Sequence, residues 1–460
     1  MTKLAQSVLA ACGLTALAGC STYHSKPLDQ AAVEHALEQQ PLDSVKVAAA
    51  SIKHPLVAPV TIDGVGGFTP DEIAVIVVIV SPELRALRDQ KGVAQAQVIQ
   101  AGILPNPSFN YELDRPDAYV DPVGTQYTMG LTWEITSLLS HGSQVKAAKA
   151  TAKSLDLSIA WQEWQAAQDA RMRAFRILSL QARLPLARGV EEELAHAVEE
   201  TRKAASMGHA TVADLTTAVD AWTTAQNARF DLENQLSADK AALGLSMGMP
   251  AGHDVPLKAA PAFPEPPQGP GPDADTLLQG LEDRRLDLVA LRLGYESQEA
   301  SLRAAVIQQF PKIGIGFVHA RDNSAPPIYT NGPTVSADIP IFDRNQGQVK
   351  IAKATRQQLF DEYVARVAEA RSDVGRILAN LAIIRSQLHE ADASLPDLEQ
   401  LVASMDRAVK SRNVDFKAYR DAKGALATRQ MEQSQLRQQA LELGVALEIA
   451  TGRPMLDRNS

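Results

Sequence analysis

Residues 82–150 of this 460-residue chain occur twice, the second time 204 positions further on (83 onto 287). Glu83-Leu-Arg-Ala-Leu-Arg88 falls on Asp287-Leu-Val-Ala-Leu-Arg292, and Pro107 falls on Pro311. Gln144-Val-Lys-Ala-Ala-Lys-Ala150 falls on Gln348-Val-Lys-Ile-Ala-Lys-Ala354, and Gly248-Met-Pro250 on Gly452-Arg-Pro454. Agreement at both ends of the unit, with no net gap, means two tandem copies of one structure. The chain must therefore build a pseudo-symmetric architecture rather than two or three unrelated domains.

Each copy opens on a helix. Thr69-Pro70-Asp71-Glu72 supplies a cap, a Pro in the first turn and early acids, so a helix is expected from here to about Ile103. Ile73 to Val80 has β-propensity, and a strand is the competing reading there. Pro105-Asn-Pro107 ends the helical pattern, and period-2 alternation follows. Phe109, Tyr111 and Leu113 alternate with polar residues, as do Tyr127, Met129, Leu131, Trp133 and Ile135. The second copy repeats this with Ile313, Ile315 and Phe317, then Val335, Ala337, Ile339 and Ile341. Each unit thus contributes a hairpin with one apolar and one polar face. Such strands suit a sheet over a soluble core or a membrane barrel. Tyr111, Tyr127, Trp133 and Tyr329 near the strand ends favour the barrel. Four strands cannot close around water, so a barrel needs several chains.

Long helical patterns follow, from Gly142 to about Ser206 and from Gly347 to about Ser411. Sixty-five residues at 1.5 Å each span roughly 97 Å. Pro185 and Gly189 interrupt the first, and Pro396 is the expected kink of the second. Val145, Ala148, Ala152, Leu155 and Ile159 are spaced 3,4,3,4. The second helix keeps that spacing from Val374, Ile377 and Leu381 to Met405 and Val409, as a coiled-coil seam does. Met207-Gly208-His209-Ala210 and Arg412-Asn413-Val414-Asp415 read as the turns. Return helices are expected at Thr211 to Leu245 and Phe416 to Ile449. A composition 45% hydrophobic but only 5% aromatic suits long, shallowly packed helices better than a thick core.

The two Cys lie in the first twenty residues. Lys3 and the apolar run Leu4 to Leu17 read as a secretory signal, and Leu17-Ala-Gly-Cys20 resembles the lipobox of bacterial lipoproteins. The resemblance implies that Cys20 is acylated and becomes the first residue, and Ser21 after it favours the outer membrane. No later segment reaches the roughly eighteen apolar residues of a membrane helix. The expected organisation is signal peptide 1–19, lipidated linker 20–69, first unit 70–250, Pro/Gly-rich linker 251–280, second unit 281–455 and tail 456–460.

Taken together, the repeat, the helix before Leu104-Pro-Asn-Pro107 and the long hairpin with its Gly-containing tip resemble the TolC family of outer-membrane efflux proteins. The resemblance covers roughly residues 70 to 455. It implies a mainly α fold with a small β part, assembled as a homotrimer. In that assembly the hairpins form a twelve-stranded outer-membrane barrel and the helices a periplasmic α-helical tunnel. It also implies a periplasmic adaptor (a membrane fusion protein) docking at the hairpin tips and an inner-membrane transporter of the RND type. Ile339-Pro-Ile-Phe-Asp-Arg-Asn-Gln-Gly347 is similar to a segment of the heavy-metal, CzcC-like branch. The matching Ile135 to Gly142 lacks the Pro and the Asp-Arg-Asn.

No catalytic constellation, cofactor or metal site is expected: the nine His are scattered, with no i,i+4 pair. His209 and His319 read as solvated surface, and a net charge of −9 argues against nucleic acid. Glu112, Asp114, Glu134 and Asp338 share the polar parity of the strands, so a threefold barrel would carry acids in its lumen and favour cations. The expected function is passive export of small solutes, heavy-metal cations foremost, with organic toxicants or a secreted polypeptide as alternatives. A coiled-coil lipoprotein tether without a pore is the reading from another class; it has no use for an apolar strand face.

Overall fold

A computed structural model describes residues 23–37, 41–115, 124–250, 252–258, 273–410 and 416–454. It divides into two units, 1–40 and 41–460. In the first, helix α1 (Gln30–Leu37) starts with Asp29 Oδ1 accepting from the Ala32 amide at 2.7 Å. The second holds both repeats. The first copy comprises α2 (Leu42–Ser51), α3 (Pro70–Val80), α4 (Pro82–Gly102), β1 (Ser108–Asp114), β2 (Gln126–Glu134), α5 (Thr136–Ser206) and α6 (Val212–Ser246). The second comprises α7 (Ala274–Leu278), α8 (Leu281–Arg284), α9 (Leu286–Ile307), β3 (Lys312–Arg321), β4 (Tyr329–Asp338), α10 (Gln346–Lys410) and α11 (Phe416–Thr451).

The run Ile73 to Val80 is helical despite its β-branched residues. Thr69 and Glu72 form a reciprocal capping box, with the Glu72 amide 3.2 Å from Thr69 Oγ1 and the Thr69 amide 2.7 Å from Glu72 Oε2. Every residue from Glu72 to Val78 is buried, against α2 and against Trp161 and Trp164 of α5. A helix apolar all round needs such a setting, and packing overrides propensity here. The single helix expected from Thr69 to Ile103 is in fact two. Ser81 is held extended (φ −56°, ψ 121°) by Pro82, which then starts α4 at the position where its missing N–H costs nothing.

Residues 41–68, expected as linker, are folded into the core. Val45, Ala49, Val57 and Ile62 are buried, too sparse to leave a periodic signal. His54 pins the segment to α5. Its Nδ1 accepts from the Leu56 and Val57 amides (3.1 and 2.9 Å), so Nε2 carries the proton and lies 3.0 Å from the Ala160 carbonyl and 3.4 Å from Glu163. Burial opposes ionisation of Glu163, yet hydrogen bonds from His54 and Arg88 prevail and hold its carboxyl below the ordinary range.

The two copies differ where Pro340 stands. Helix α5 begins at Thr136, six residues earlier in the repeat frame than α10, and runs 71 residues against 65. The counterpart of Thr136 is Pro340, and Pro340 with the turn behind it keeps Ile339 and Ile341 out of both strand and helix. Pro185 and Pro396 both lie inside continuous helices. The seam expected on α10 is packed, with Val374, Ile377, Leu381, Leu388, Ala391 and Leu395 buried.

The Gly-x-Pro motif closing each copy is a clasp. Gly248 and Gly452 take left-handed φ (+70° and +66°) at the ends of α6 and α11. A Cβ on Gly248 would lie 2.7 Å from Pro82 Cγ, and one on Gly452 3.2 Å from the Arg284 carbonyl. Each return helix thus ends against the start of its own copy. Gly248→Ala should cost about 1–2 kcal/mol from backbone strain alone, plus the clash with Pro82. Gly208→Ala, with similar φ but open space around it, should show only the strain. Thermal unfolding of the two variants checks the difference.

A two-faced sheet and the hairpin ends as candidate functional sites

The four strands form one antiparallel sheet in the order β1-β2-β3-β4, so the hairpins of the two copies lie side by side. The register pairs Glu112 with Thr128, Glu134 with Gly314 and Lys312 with Asp338, even positions with even throughout. All four acids, Glu112, Asp114, Glu134 and Asp338, therefore share one face. Glu112 and Asp114 stand at the loop end, where Asp114 accepts from Gln126 Nε2 at 2.7 Å. Glu134 and Asp338 stand at the helix end with Lys312 beside them. Parity alone would have found Lys312, whose charge offsets one acid of that pair. Gly130, Gly314 and Gly316 leave this face thin, and Asn110, Thr132 and Ser336 side chains crowd over them.

The opposite face is apolar and exposed: Leu131 is 53%, Phe317 54% and Val335 73% accessible. At its loop end an aromatic chain crosses all four strands. Tyr111 to Tyr127, Tyr127 to His319 and His319 to Tyr329 are 6.4, 5.8 and 6.1 Å between centroids. His319, expected as solvated surface, is instead half-buried in this chain. Its Nδ1 lies 2.6 Å from Asn331 Oδ1 and its Nε2 3.3 Å from the Tyr127 hydroxyl.

Beneath the polar face lies a cleft of about 580 Å³ lined by Glu134, Gln144, Lys312, Asp338 and Asp343 among others. The Ile339 to Gly347 segment forms its floor, and its polar residues make a turn. Asp343 Oδ1 accepts from the Asn345 amide at 2.9 Å, and Asn345 takes φ 57°. Asn345 Nδ2 then donates to the Ala305 carbonyl at 2.9 Å, tying the end of α9 to the start of α10. The polar residues of Ile339 to Gly347 are thus occupied in holding a corner.

At the far end of α5 the chain reverses as the composition suggests. Gly208 (φ +77°) follows Met207, and the His209 amide reaches back to the Ala204 carbonyl at 2.8 Å. Met207, Gly208 and His209 are exposed and Ala210 half-buried. Thr211 and Asp214 then cap α6 reciprocally. Above the turn a groove of about 1100 Å³ runs between α5, α6 and α11, floored by small residues such as Gly189, Ala197, Ala221 and Gly424. Lys423–Glu193 and Arg420–Glu200 (2.8 Å) bridge from α11 to α5. These cross-hairpin pairs have no sequence signal. Cys20 and the second tip, Arg412, Asn413, Val414 and Asp415, lie outside the described residues. Among those described, no group of His, Cys, Asp and Glu could hold a metal ion, and no helix is long and apolar enough to cross a membrane.

The profile of the family described as Outer membrane efflux protein matches residues 79–249 and 277–453, one match per repeat. No curated protein sequence matches the chain. Among solved structures, the CmeC outer membrane channel of Campylobacter jejuni aligns with a TM-score of 0.65 at 12% identity, covering 96% of each chain. The open MtrE outer membrane channel of Neisseria gonorrhoeae aligns at 0.63 and 15%, over 95% of this chain and 98% of its own. CusC, in structures described as showing changes that accompany folding and transmembrane channel formation, aligns at 0.61 and 16%, over 90% and 98%. At these identities the likeness is one of fold.

Proposed function

This chain belongs to the outer membrane efflux protein family, and from that premise we propose that it is the passive outer-membrane duct of a tripartite efflux system, working as a homotrimer. The observation that carries this is the sheet. It has an apolar face open to its surroundings along its centre, a polar face bearing four acids, and two edge strands, β1 and β4. An open edge invites another strand. Pairing β4 of one copy with β1 of the next, three times over, gives twelve strands, apolar outside and polar within. That arrangement leaves the tether reading without a role for the apolar face. Helix α5, at 71 residues, would reach roughly 106 Å from the sheet, a length suited to crossing the periplasm. Leu17 to Cys20 supports a lipid anchor at Cys20, which fatty-acid labelling of the protein would test.

The cargo reading that fits best is small cations. Threefold repetition of Glu112 and Asp114 would place six carboxylates near the outer mouth, and like rings favour cations. Heavy-metal export is the narrower form of this reading. Reversal potentials of the reconstituted trimer in a salt gradient test it, since anion preference would sink the cation reading while leaving the duct intact. Growth of a deletion strain on metals and on organic toxicants separates the alternatives.

The tip residues Met207 to Ala210 and Arg412 to Asp415 are proposed to dock a periplasmic adaptor that links the duct to an inner-membrane transporter of the RND type. Gly208→Val should strain the turn by about 1 kcal/mol or more. Trimer level and location should hold while efflux and adaptor crosslinking fall. Photocrosslinks from His209 that never reach an adaptor, in cells with normal efflux, would rule out docking there.

A further inference from the structure

Charge is sorted between the two faces of the sheet. Odd-numbered positions of the four strands carry no Asp or Glu, whereas the cationic Arg321 sits on that apolar face at its loop end. Arg321 pairs in register with Tyr127 on one side and Tyr329 on the other, one step beyond the Tyr-His-Tyr chain. Its Nε is shut off from solvent and has no hydrogen-bond partner among the described residues. The adjacent acid, Asp322, feels the Arg321 charge but spends its hydrogen bonds in its own loop, where Oδ1 accepts from the Ser324 amide (3.1 Å), the Ser324 hydroxyl (2.6 Å) and the Ile328 amide (2.9 Å). Arg115, exposed just after β1, adds a second cation at the same end.

A guanidinium held between tyrosines at the upper edge of an apolar band has donors to spare and hydrocarbon below it. Its forked N–H groups match a phosphate, and the rings beside it have the amphipathic character of residues at a membrane interface. We propose that this rim, centred on Arg321, binds the phosphate of an outer-leaflet glycolipid of the lipid A type. Tyr329 and His319 pack its sugar headgroup, and Leu131, Phe317 and Ile315, further from the loop end, meet the acyl chains. The inference rests on the barrel reading, which places the loop end outside the cell.

The test uses native mass spectrometry of the purified full-length lipoprotein with diphosphoryl lipid A, its dephosphorylated form and phosphatidylglycerol. Wild type should retain diphosphoryl lipid A best. Arg321→Gln should lower that retention about tenfold, the equivalent of one lost charge-assisted hydrogen bond, and bind the dephosphorylated lipid as wild type does. Arg321→Lys should recover part of the loss. Equal retention by Arg321→Gln, or phosphatidylglycerol held as well as lipid A, overturns the proposal. Heat-modifiable trimer is measured on every sample. Its absence in wild type overturns the barrel reading and this proposal together, whereas intact trimers indifferent to the phosphate overturn this proposal alone.

Discussion

Glu448→Ala should destabilise the folded chain by about 3–5 kcal/mol, the size expected when a buried ion pair loses one partner. Glu448 is fully buried on α11, and its Oε2 accepts from Gln168 Nε2 at 2.6 Å and from Arg171 Nη1 at 3.0 Å. Both donors are on α5 and both are buried, so truncation strands an amide and much of a guanidinium away from water. Arg171 keeps its 2.7 Å pair with Asp71 and its place over the Phe175 ring, which sets the lower end of the range. Glu448→Gln retains an acceptor and should cost less. Replacing Arg171 and Glu448 together by Leu should cost less than Glu448→Ala, because no charge is then left unpaired. Urea unfolding followed by tryptophan fluorescence reads this directly, since Trp164 lies one turn from Gln168. A loss under about 1 kcal/mol for Glu448→Ala would mean the network contributes little.

That network also marks the limit of what a single sequence discloses. Gln168 and Glu448 are 280 residues apart, and nothing in either local pattern announces the other. His54 is hidden for the same reason, since its partners Ala160 and Glu163 lie more than a hundred residues on. What was legible is local and periodic. The heptads of α10, the helix start at Thr69 and the parity of Phe109 to Leu113 each follow from spacing within one element, and the 204-residue offset from laying one copy over the other. The misread places are those where one residue type serves two geometries. Pro82 can sit in a first turn or end the preceding helix, and its neighbours decide. Ile339 and Ile341 continue the strand alternation on paper, but Pro340 ends β4 at Asp338. His319 looked like surface because its Tyr127 and Asn331 contacts come from two other strands. The register pairs even positions with even, so Glu112, Asp114, Glu134 and Asp338 share a face of the sheet, because parity survives pairing. Their division into a loop-end and a helix-end pair, with Lys312 at the second, needed the register.

Leu131→Arg should cost about 2–4 kcal/mol of barrel stability, while Thr132→Arg, one residue on, should be tolerated. The two positions are adjacent in sequence and opposite in facing. Leu131 pairs with Phe109 on β1 and Phe317 on β3, in the middle of the exposed apolar band. A guanidinium there would meet hydrocarbon on all sides, too deep to reach the interface at either strand end without distorting the sheet. Thr132 pairs with Ser108 and Gly316 on the acid-bearing face, where the missing Gly316 side chain leaves a longer residue free to turn toward water. In a sheet covering a soluble core the order would be the same, with Leu131 inside protein and Thr132 outside, but the wild type itself would then give no heat-modifiable trimer in the outer membrane. In a pore-free tether, neither change should disturb assembly. The yield of heat-modifiable trimer in outer-membrane fractions distinguishes the three outcomes. Loss for Leu131→Arg with retention for Thr132→Arg is the result expected of a barrel with its acids inside. Equal assembly of both variants would mean that the apolar face does not meet lipid.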